Sequence, residues 1–324
     1  MAANKMMKVG KIPNPSNITT LFFDLDNTLI PTRKGDSKAC RKLGEQLESA
    51  YNFLPGEASQ VTAKFLQSFR RCPDNPQTSL DSWRSYLWRD ALPDRYKHFA
   101  EQIYAQWLHL RYRYLAIIPE YVNMLKQFRS SGYLLALITN GPSNAQWEKV
   151  KKLNVSQYFD CVLVSSDLPW EKPNPNIFLA ACNYLHVKPA ECVMIGDKIE
   201  TDVQGGKAAN LGATIWLPLN PNAIEDLDAE FEGNEQMRPD LVLQNLCDMM
   251  QFFPKCRNEM GSSSNGGSSS KFPHADGSSS SHTMRRINSQ AGVSSTRKYQ
   301  AYRRGASLPD IDCSSENSCD SIFS

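Results

Sequence analysis

The sequence predicts an α/β fold: a doubly wound parallel sheet, with a helical cap inserted after the first strand and a disordered C-terminal tail. Three observations predict it. Short, continuous apolar runs at 21–23, 134–138, 161–164, 192–195 and 213–217 alternate with amphipathic, helix-like stretches. That alternation is the pattern of strands buried on both faces of a parallel sheet. More than one hundred residues separate the first run from the second, too many for an ordinary crossover. From Gly261 onward the chain turns to Ser, Gly and scattered Arg, with few large apolar residues, and such a segment cannot bury enough surface to offset its ordering entropy.

Taken in order, residues 1–16 read as a short disordered leader that ends in a turn at Pro13 and Pro15. The first strand, 21–23, runs directly into Asp24. The insert spans 31–118 and is helical in pattern at 42–51, 58–71, 80–91 and 96–112, with Trp83, Trp88 and Trp107 inside it. The remaining strands alternate with helical segments at 121–128, 144–153, 176–185 and 202–209, and an apolar, amphipathic helix over 241–253 closes the unit. The core is therefore expected to comprise 17–30 and 119–253, and the tail 254–324.

Hydrophobic residues make up 41% of the 324, enough for a sizeable core, and the mean hydropathy of −0.47 is lowered by the tail. The net charge is +2, and the positive excess lies after Pro254, where nine Lys and Arg face six Asp and Glu. Neither nucleic acid nor a membrane is expected as a partner. Nine cysteines without a C-x-x-C pair, and no apolar signal segment at the start, suggest reduced thiols in the cytoplasm.

Four constellations carry chemistry. Asp24-Leu25-Asp26-Asn27-Thr28 leaves the end of the first strand, where open α/β sheets bind ligands. One carboxylate can attack phosphorus while the other manages a proton. Thr139-Asn140-Gly141 follows the second strand and can cradle an anion. Lys172, in Glu171-Lys172-Pro173, could neutralise phosphoryl oxygens. Asp197 and Asp202, in Gly196-Asp197-Lys198-Ile199-Glu200-Thr201-Asp202, offer hard oxygens suited to Mg²⁺. Each has a plainer reading when taken alone: a turn, a helix cap, a solvated lysine, an acidic helix start. Together, three of them follow three separate strands in the order needed to converge on one crevice, and with Lys172 they make up a phosphoryl-transfer set.

This ordered set resembles the haloacid dehalogenase superfamily over roughly residues 17–253. The resemblance implies a Rossmann-like core and a magnesium-dependent phosphomonoesterase that works through a phospho-aspartyl enzyme. Asp24 would be the nucleophile. Asp26 would protonate the leaving alcohol and then activate water. Mg²⁺ would be held by Asp24, Asp197 and the main-chain carbonyl of Asp26. Leu25, Thr139, Asn140 and Lys172 would hold the phosphate, and Asp202 would support the metal site from behind its ligands. The presence of Asp26 disfavours dehalogenation, since the dehalogenases of this superfamily lack that acid. Within the superfamily, residues 22–30, Glu171-Lys172-Pro173 and 193–206 are most similar to phosphatases of a sialic acid 9-phosphate. Pro142 departs from that pattern where an acidic residue is expected, and the insert is only loosely similar. Arg70, Arg71, Arg84 and Arg89 lie in the insert and could meet a substrate carboxylate, but nothing singles one out.

The expected partner is a small-molecule phosphate ester. Another small sugar phosphate or phosphoglycolate, a phosphomutase reaction, or a non-catalytic scaffold remain as alternatives. In the tail, Arg285-Arg286-Ile287-Asn288-Ser289 and Arg303-Arg304-Gly305-Ala306-Ser307-Leu308-Pro309 resemble sites for basophilic kinases. The second also resembles a 14-3-3 docking site, which would make Ser307 a phospho-dependent contact, although chance alone can produce such strings in an arginine-containing, serine-rich tail.

Overall fold

The computed structural model describes residues 9–54, 56–220, 231 and 237–255. Its centre is a seven-stranded sheet: β1 (Val9–Gly10), β2 (Thr20–Phe23), β3 (Leu134–Thr139), β4 (Cys161–Val164), β5 (Cys192–Gly196), β6 (Ala213–Trp216) and β7 (Leu241–Val242). The order is β1-β7-β6-β5-β2-β3-β4, and every pairing is parallel except β1 with β7. The chain winds from β2 outward through β3 to β4, then crosses to β5 on the other side of β2. The switch point therefore opens a crevice at the carboxyl ends of β2, β3 and β5.

The apolar runs form these strands because both faces of the sheet are covered. Leu21 and Phe23 point into one buried cluster, with Leu135, Leu137, Val193 and Ile195. Phe22 points into the opposite one, with Ala136, Ile138 and Met194. The alternation is that of a pleated strand. Helices α5 (Pro119–Ser130), α6 (Ser143–Lys152), α7 (Pro175–Leu185) and α8 (Gln204–Ala208) flank the sheet.

Between β2 and α5 lie α1 (Thr32–Ala50), α2 (Glu57–Arg71), α3 (Leu80–Ala91) and α4 (Ala100–Leu115). They share a separate apolar cluster that includes Leu43, Leu47, Phe65, Phe69, Trp88 and Trp107. Phe65 stacks on Trp88 at 3.7 Å between ring centroids and meets Trp107 edge-on. Helix α1 begins ten residues before the expected 42, because its first turns are polar and glycine-containing and show no apolar period. Gly35 is there for close packing: a Cβ would come within 2.7 Å of Leu115 Cδ2 and 3.0 Å of the Tyr114 carbonyl.

Three other expectations are corrected. Residues 9–16 are not a disordered leader. Val9–Gly10 pairs with Leu241–Val242, Lys11 N–H donates to the Asp240 carbonyl at 2.8 Å, and Ile12 is buried in the core. Gly10 has φ +95°, and a Cβ would lie 2.2 Å from that carbonyl, so this edge contact needs glycine. Residues 241–253 are not one helix. Leu241–Val242 extends the sheet and a 3-10 helix, Leu246–Phe252, follows, with Asn245 Oδ1 accepting from Cys247 N–H at 2.9 Å. Pairing with β6 satisfies ladder groups that a helix would leave open. The helix expected at 202–209 is instead a π-helical turn, Ile199–Val203, followed by the short α8. No helix among the described residues is long and apolar enough to cross a membrane. The serine-rich segment beyond Lys255, with Ser289 and Ser307, lies outside the described residues.

A chain that begins at residue 13 loses β1 and Ile12. Its unfolding free energy is expected to fall by about 2–3 kcal/mol, the scale for exposing one buried isoleucine. The check is a denaturant midpoint; an unchanged midpoint would show that the edge strand adds nothing.

Candidate active site

Asp24 directly follows β2, and its N–H donates to the Ile195 carbonyl at 2.9 Å, which continues the ladder toward β5. The side chain is therefore delivered to the crevice by the sheet itself. Lys172 is buried beneath it. Its Nζ donates to Asp24 Oδ1 at 2.7 Å, Asp202 Oδ1 at 2.7 Å and the Ile138 carbonyl at 2.9 Å. Three acceptors use all three ammonium hydrogens.

The loop that carries Lys172 is held by Asn140, whose Oδ1 accepts from the Lys172 N–H at 2.9 Å and whose Nδ2 donates to the Lys172 carbonyl at 2.8 Å. Asn140, expected to hold phosphate, thus works as a clamp on the lysine loop. What it still offers an anion is its main-chain N–H and one amide hydrogen. Thr139 is buried, and its Oγ1 accepts from Gln146 Nε2 at 2.6 Å, which frees its own hydrogen to be donated. The Leu25 side chain is in the core, so only its main chain is left to serve an anion.

Asp202 stands on the π-helical turn. Its Oδ1 takes Lys172 and its Oδ2 accepts from the Lys198 N–H at 3.1 Å. Gly196 makes room for it: a Cβ there would lie 2.1 Å from Asp202 Oδ2. Asp197 is buried, with its carbonyl anchored by Trp216 Nε1 at 2.9 Å and its Oδ2 buried without a partner. Asp24, Asp197 and Asp202 offer oxygens within 4.8 Å of one another. Both oxygens of Asp202 are engaged, which leaves Asp24 and Asp197 as the carboxylates with an open oxygen.

Three buried carboxylates share one lysine, and the electrostatics show the imbalance. Asp24 is raised to about 7: burial pushes it up most, Lys172 pulls it down, and Asp202, Asp197 and Asp26 add to the rise. Burial and Asp202 push Asp197 up to about 6. Burial opposes the charge on Lys172, yet Asp202 and Asp24 outweigh it and hold the ammonium above the ordinary lysine range. Hard oxygen donors, excess negative charge and an orphaned carboxylate oxygen fit a divalent cation such as Mg²⁺.

Asp26 has a different setting. Lys149 Nζ reaches Oδ1 at 2.7 Å and Oδ2 at 2.8 Å, Gln146 Nε2 reaches Oδ2 at 2.9 Å, and the Thr32 hydroxyl donates to Oδ1. Burial alone would push Asp26 up, but Lys149 and these hydrogen bonds outweigh it and hold the carboxyl at about 2. Sequence reasoning missed Thr32, Gln146 and Lys149. The available signal was on α6: Gln146 and Lys149, three apart, share its buried face with Ala145 and Val150. Of the insert arginines, Arg84 is wholly buried and pairs with Glu148 on α6 at 2.6 Å, and Arg70 donates to the Arg33 carbonyl at 3.1 Å.

In metal-free protein, Asp24 and Asp197 have folded values above the ordinary carboxylate value of 3.8. Their stabilising protonation is therefore present at low pH and lost as pH rises through about 6 to 7. The melting temperature in EDTA is expected to rise as pH falls from 8 to 5. Added Mg²⁺ should raise it more at pH 8 than at pH 5. Thermal scans check both, and equal Mg²⁺ shifts at the two pH values would contradict the assignment.

Comparison with known proteins agrees with this geometry. The haloacid dehalogenase-like hydrolase family matches residues 18–210. The chain is 34% identical over 218 residues to N-acylneuraminate-9-phosphatase of Homo sapiens, covering 65% of this chain and 86% of that protein. It is 33% identical to the protein of the same name from Rattus norvegicus, covering 62% and 83%. It is 30% identical to glyceraldehyde 3-phosphate phosphatase of Pyrococcus furiosus, covering 66% and 86%. The family match spans residues 18–210, more than half of the chain, and takes in Asp24, Lys172 and Asp197: the chain belongs to the haloacid dehalogenase-like hydrolases.

Proposed function

We propose that this protein is a Mg²⁺-dependent phosphomonoesterase acting through an aspartyl phosphate on Asp24, with N-acylneuraminate 9-phosphate as its substrate. The observation that carries the chemistry is the buried Asp24, braced by Lys172 at 2.7 Å, beside Asp197 with its unpartnered oxygen. Support for the substrate comes from the relatives at 33–34% identity that bear that activity in their names.

In this reading, an Asp24 oxygen attacks phosphorus while Lys172 keeps the nucleophile oriented and offsets charge on the phosphoryl oxygens. Thr139 donates its freed hydroxyl hydrogen to the phosphoryl group, with main-chain N–H groups from Leu25 and Asn140. Asp26, ionised in the resting site by Lys149 and its hydrogen bonds, takes up a proton as the substrate's phosphate enters, gives it to the departing alcohol oxygen and then takes one from the water that opens the acyl phosphate. Asp24, Asp197 and the Asp26 carbonyl would hold Mg²⁺, which neutralises charge at the phosphoryl group. Asp202 holds Lys172 in place. The helices of 31–118 form a cap over a core of 17–30 and 119–253, and the protein works in the cytoplasm. The tail after Pro254 regulates or localises, with Ser307 as a phospho-dependent docking point.

Phosphate release is the test. Wild type with Mg²⁺ should turn over, EDTA should abolish the activity, and Asp24→Asn should lower it by at least about a thousandfold, as expected for loss of a nucleophile. In a panel with glyceraldehyde 3-phosphate, phosphoserine and phosphoglycolate, N-acylneuraminate 9-phosphate should have the highest kcat/KM by at least about tenfold. A different best substrate would overturn the substrate and leave the chemistry standing. Truncation after Pro254 should leave kcat unchanged, and a large loss would give the tail a catalytic part.

A further inference from the structure

The Asp26 carboxylate is gripped more completely than a turn requires. Four contacts fall on its two oxygens, about the number of lone-pair directions a carboxylate has. They differ in permanence. Lys149 bridges both oxygens, at 2.7 and 2.8 Å, from a largely buried position on α6. Gln146 Nε2 has two hydrogens but three acceptors in reach: Asp26 Oδ2 at 2.9 Å, Thr139 Oγ1 at 2.6 Å and the Asn140 carbonyl at 2.9 Å. One of those three is always unmade. Asp26 Oδ2 can therefore open toward a reacting atom while Lys149 keeps the carboxylate plane fixed.

The placement of Lys149 is itself fixed. Glu148, the preceding residue on α6, is held by the buried Arg84 of α3 at 2.6 Å. One turn earlier, the Gln146 side chain lies over Gly141, where φ is +136° and a Cβ would come within 3.2 Å of Gln146 Cδ. Helix α6 thus ties Asp26 to Thr139, the last residue of β3, and to the helices of the insert.

We propose that Lys149 is a positioning residue: it orients Asp26 to take the proton from the water that hydrolyses the phospho-enzyme, and Gln146 yields the oxygen that does so. This rests on the reading of Asp26 as acid and base. In that step the water oxygen bonds to phosphorus, the P–O bond to Asp24 breaks, the water's proton passes to Asp26, and phosphate leaves. A side chain that orients only Asp26 matters least when the leaving group needs no proton.

The probe is p-nitrophenyl phosphate with Mg²⁺ on the full chain, because p-nitrophenolate departs without an acid. Lys149→Met should release a burst of nitrophenol approaching one per site and then turn over about 10- to 100-fold more slowly than wild type, less than the roughly 100- to 10,000-fold that proton transfer itself contributes, because the variant loses the orientation of Asp26 and keeps its carboxylate. Acid quenching should trap phosphoprotein. Lys149→Arg should recover part of the steady rate. Lys149→Gln, which keeps a donor and the packed stem, should accumulate less phosphoprotein and serves if the methionine variant does not fold. Unchanged turnover, or slow turnover with neither burst nor phosphoprotein, would overturn the proposal. Asp26→Asn is the control. If it also shows neither burst nor slowing while wild type is active, the reading of Asp26 fails, and the role of Lys149 with it.

Discussion

The site depends on one ammonium group. Lys172 Nζ sits among Asp24, Asp202 and the Ile138 carbonyl, and each partner comes from a different part of the sheet. Burying three carboxylates within a few ångströms is costly unless positive charge is buried with them. One lysine offsets part of that cost and leaves the remainder as a standing demand for a cation. The same contact orients the Asp24 carboxylate, fixes Asp202 against Gly196 and, through Asn140, sets the path of the loop that carries the lysine.

The carboxylates of Asp24 and Asp26 are chemically alike and are made different by their surroundings. Asp24 faces other acids in a buried crevice and is pushed up. Asp26, two residues on, meets Lys149, Thr32 and Gln146 and is held down. Environments that separate paired carboxyl groups are how a fold assigns distinct roles to one residue type. The separation here is made by α6 and the start of α1, which approach the crevice from the side of the helical insert. The Arg84–Glu148 pair then joins the insert to that same helix. Arg84 is wholly buried; its Nη1 makes this junction, while its Nε and Nη2 are buried without a hydrogen-bond partner.

The sequence by itself determined five of the seven strands, β2 to β6, and the four constellations that meet beside them. Strands buried on both faces must be continuously apolar, and a crevice at their carboxyl ends must interrupt that pattern with polar residues; both facts are written locally at 21–28, 134–141 and 192–202. The helical pattern of α1 to α4 was also legible, although the polar start of α1 hid ten residues of it. The tertiary structure decided what pairs across long separations. Val9–Gly10 is too short to be recognised without Leu241–Val242 opposite it, and the segment after Asp240 has an apolar pattern that suits helix or strand until β6 offers an edge. Lys149 and Gln146 are ordinary polar residues of an amphipathic helix in one dimension. They become partners of Asp26 only because β3 and α6 bring them across more than one hundred residues, and no local pattern records a contact whose two halves are set by packing.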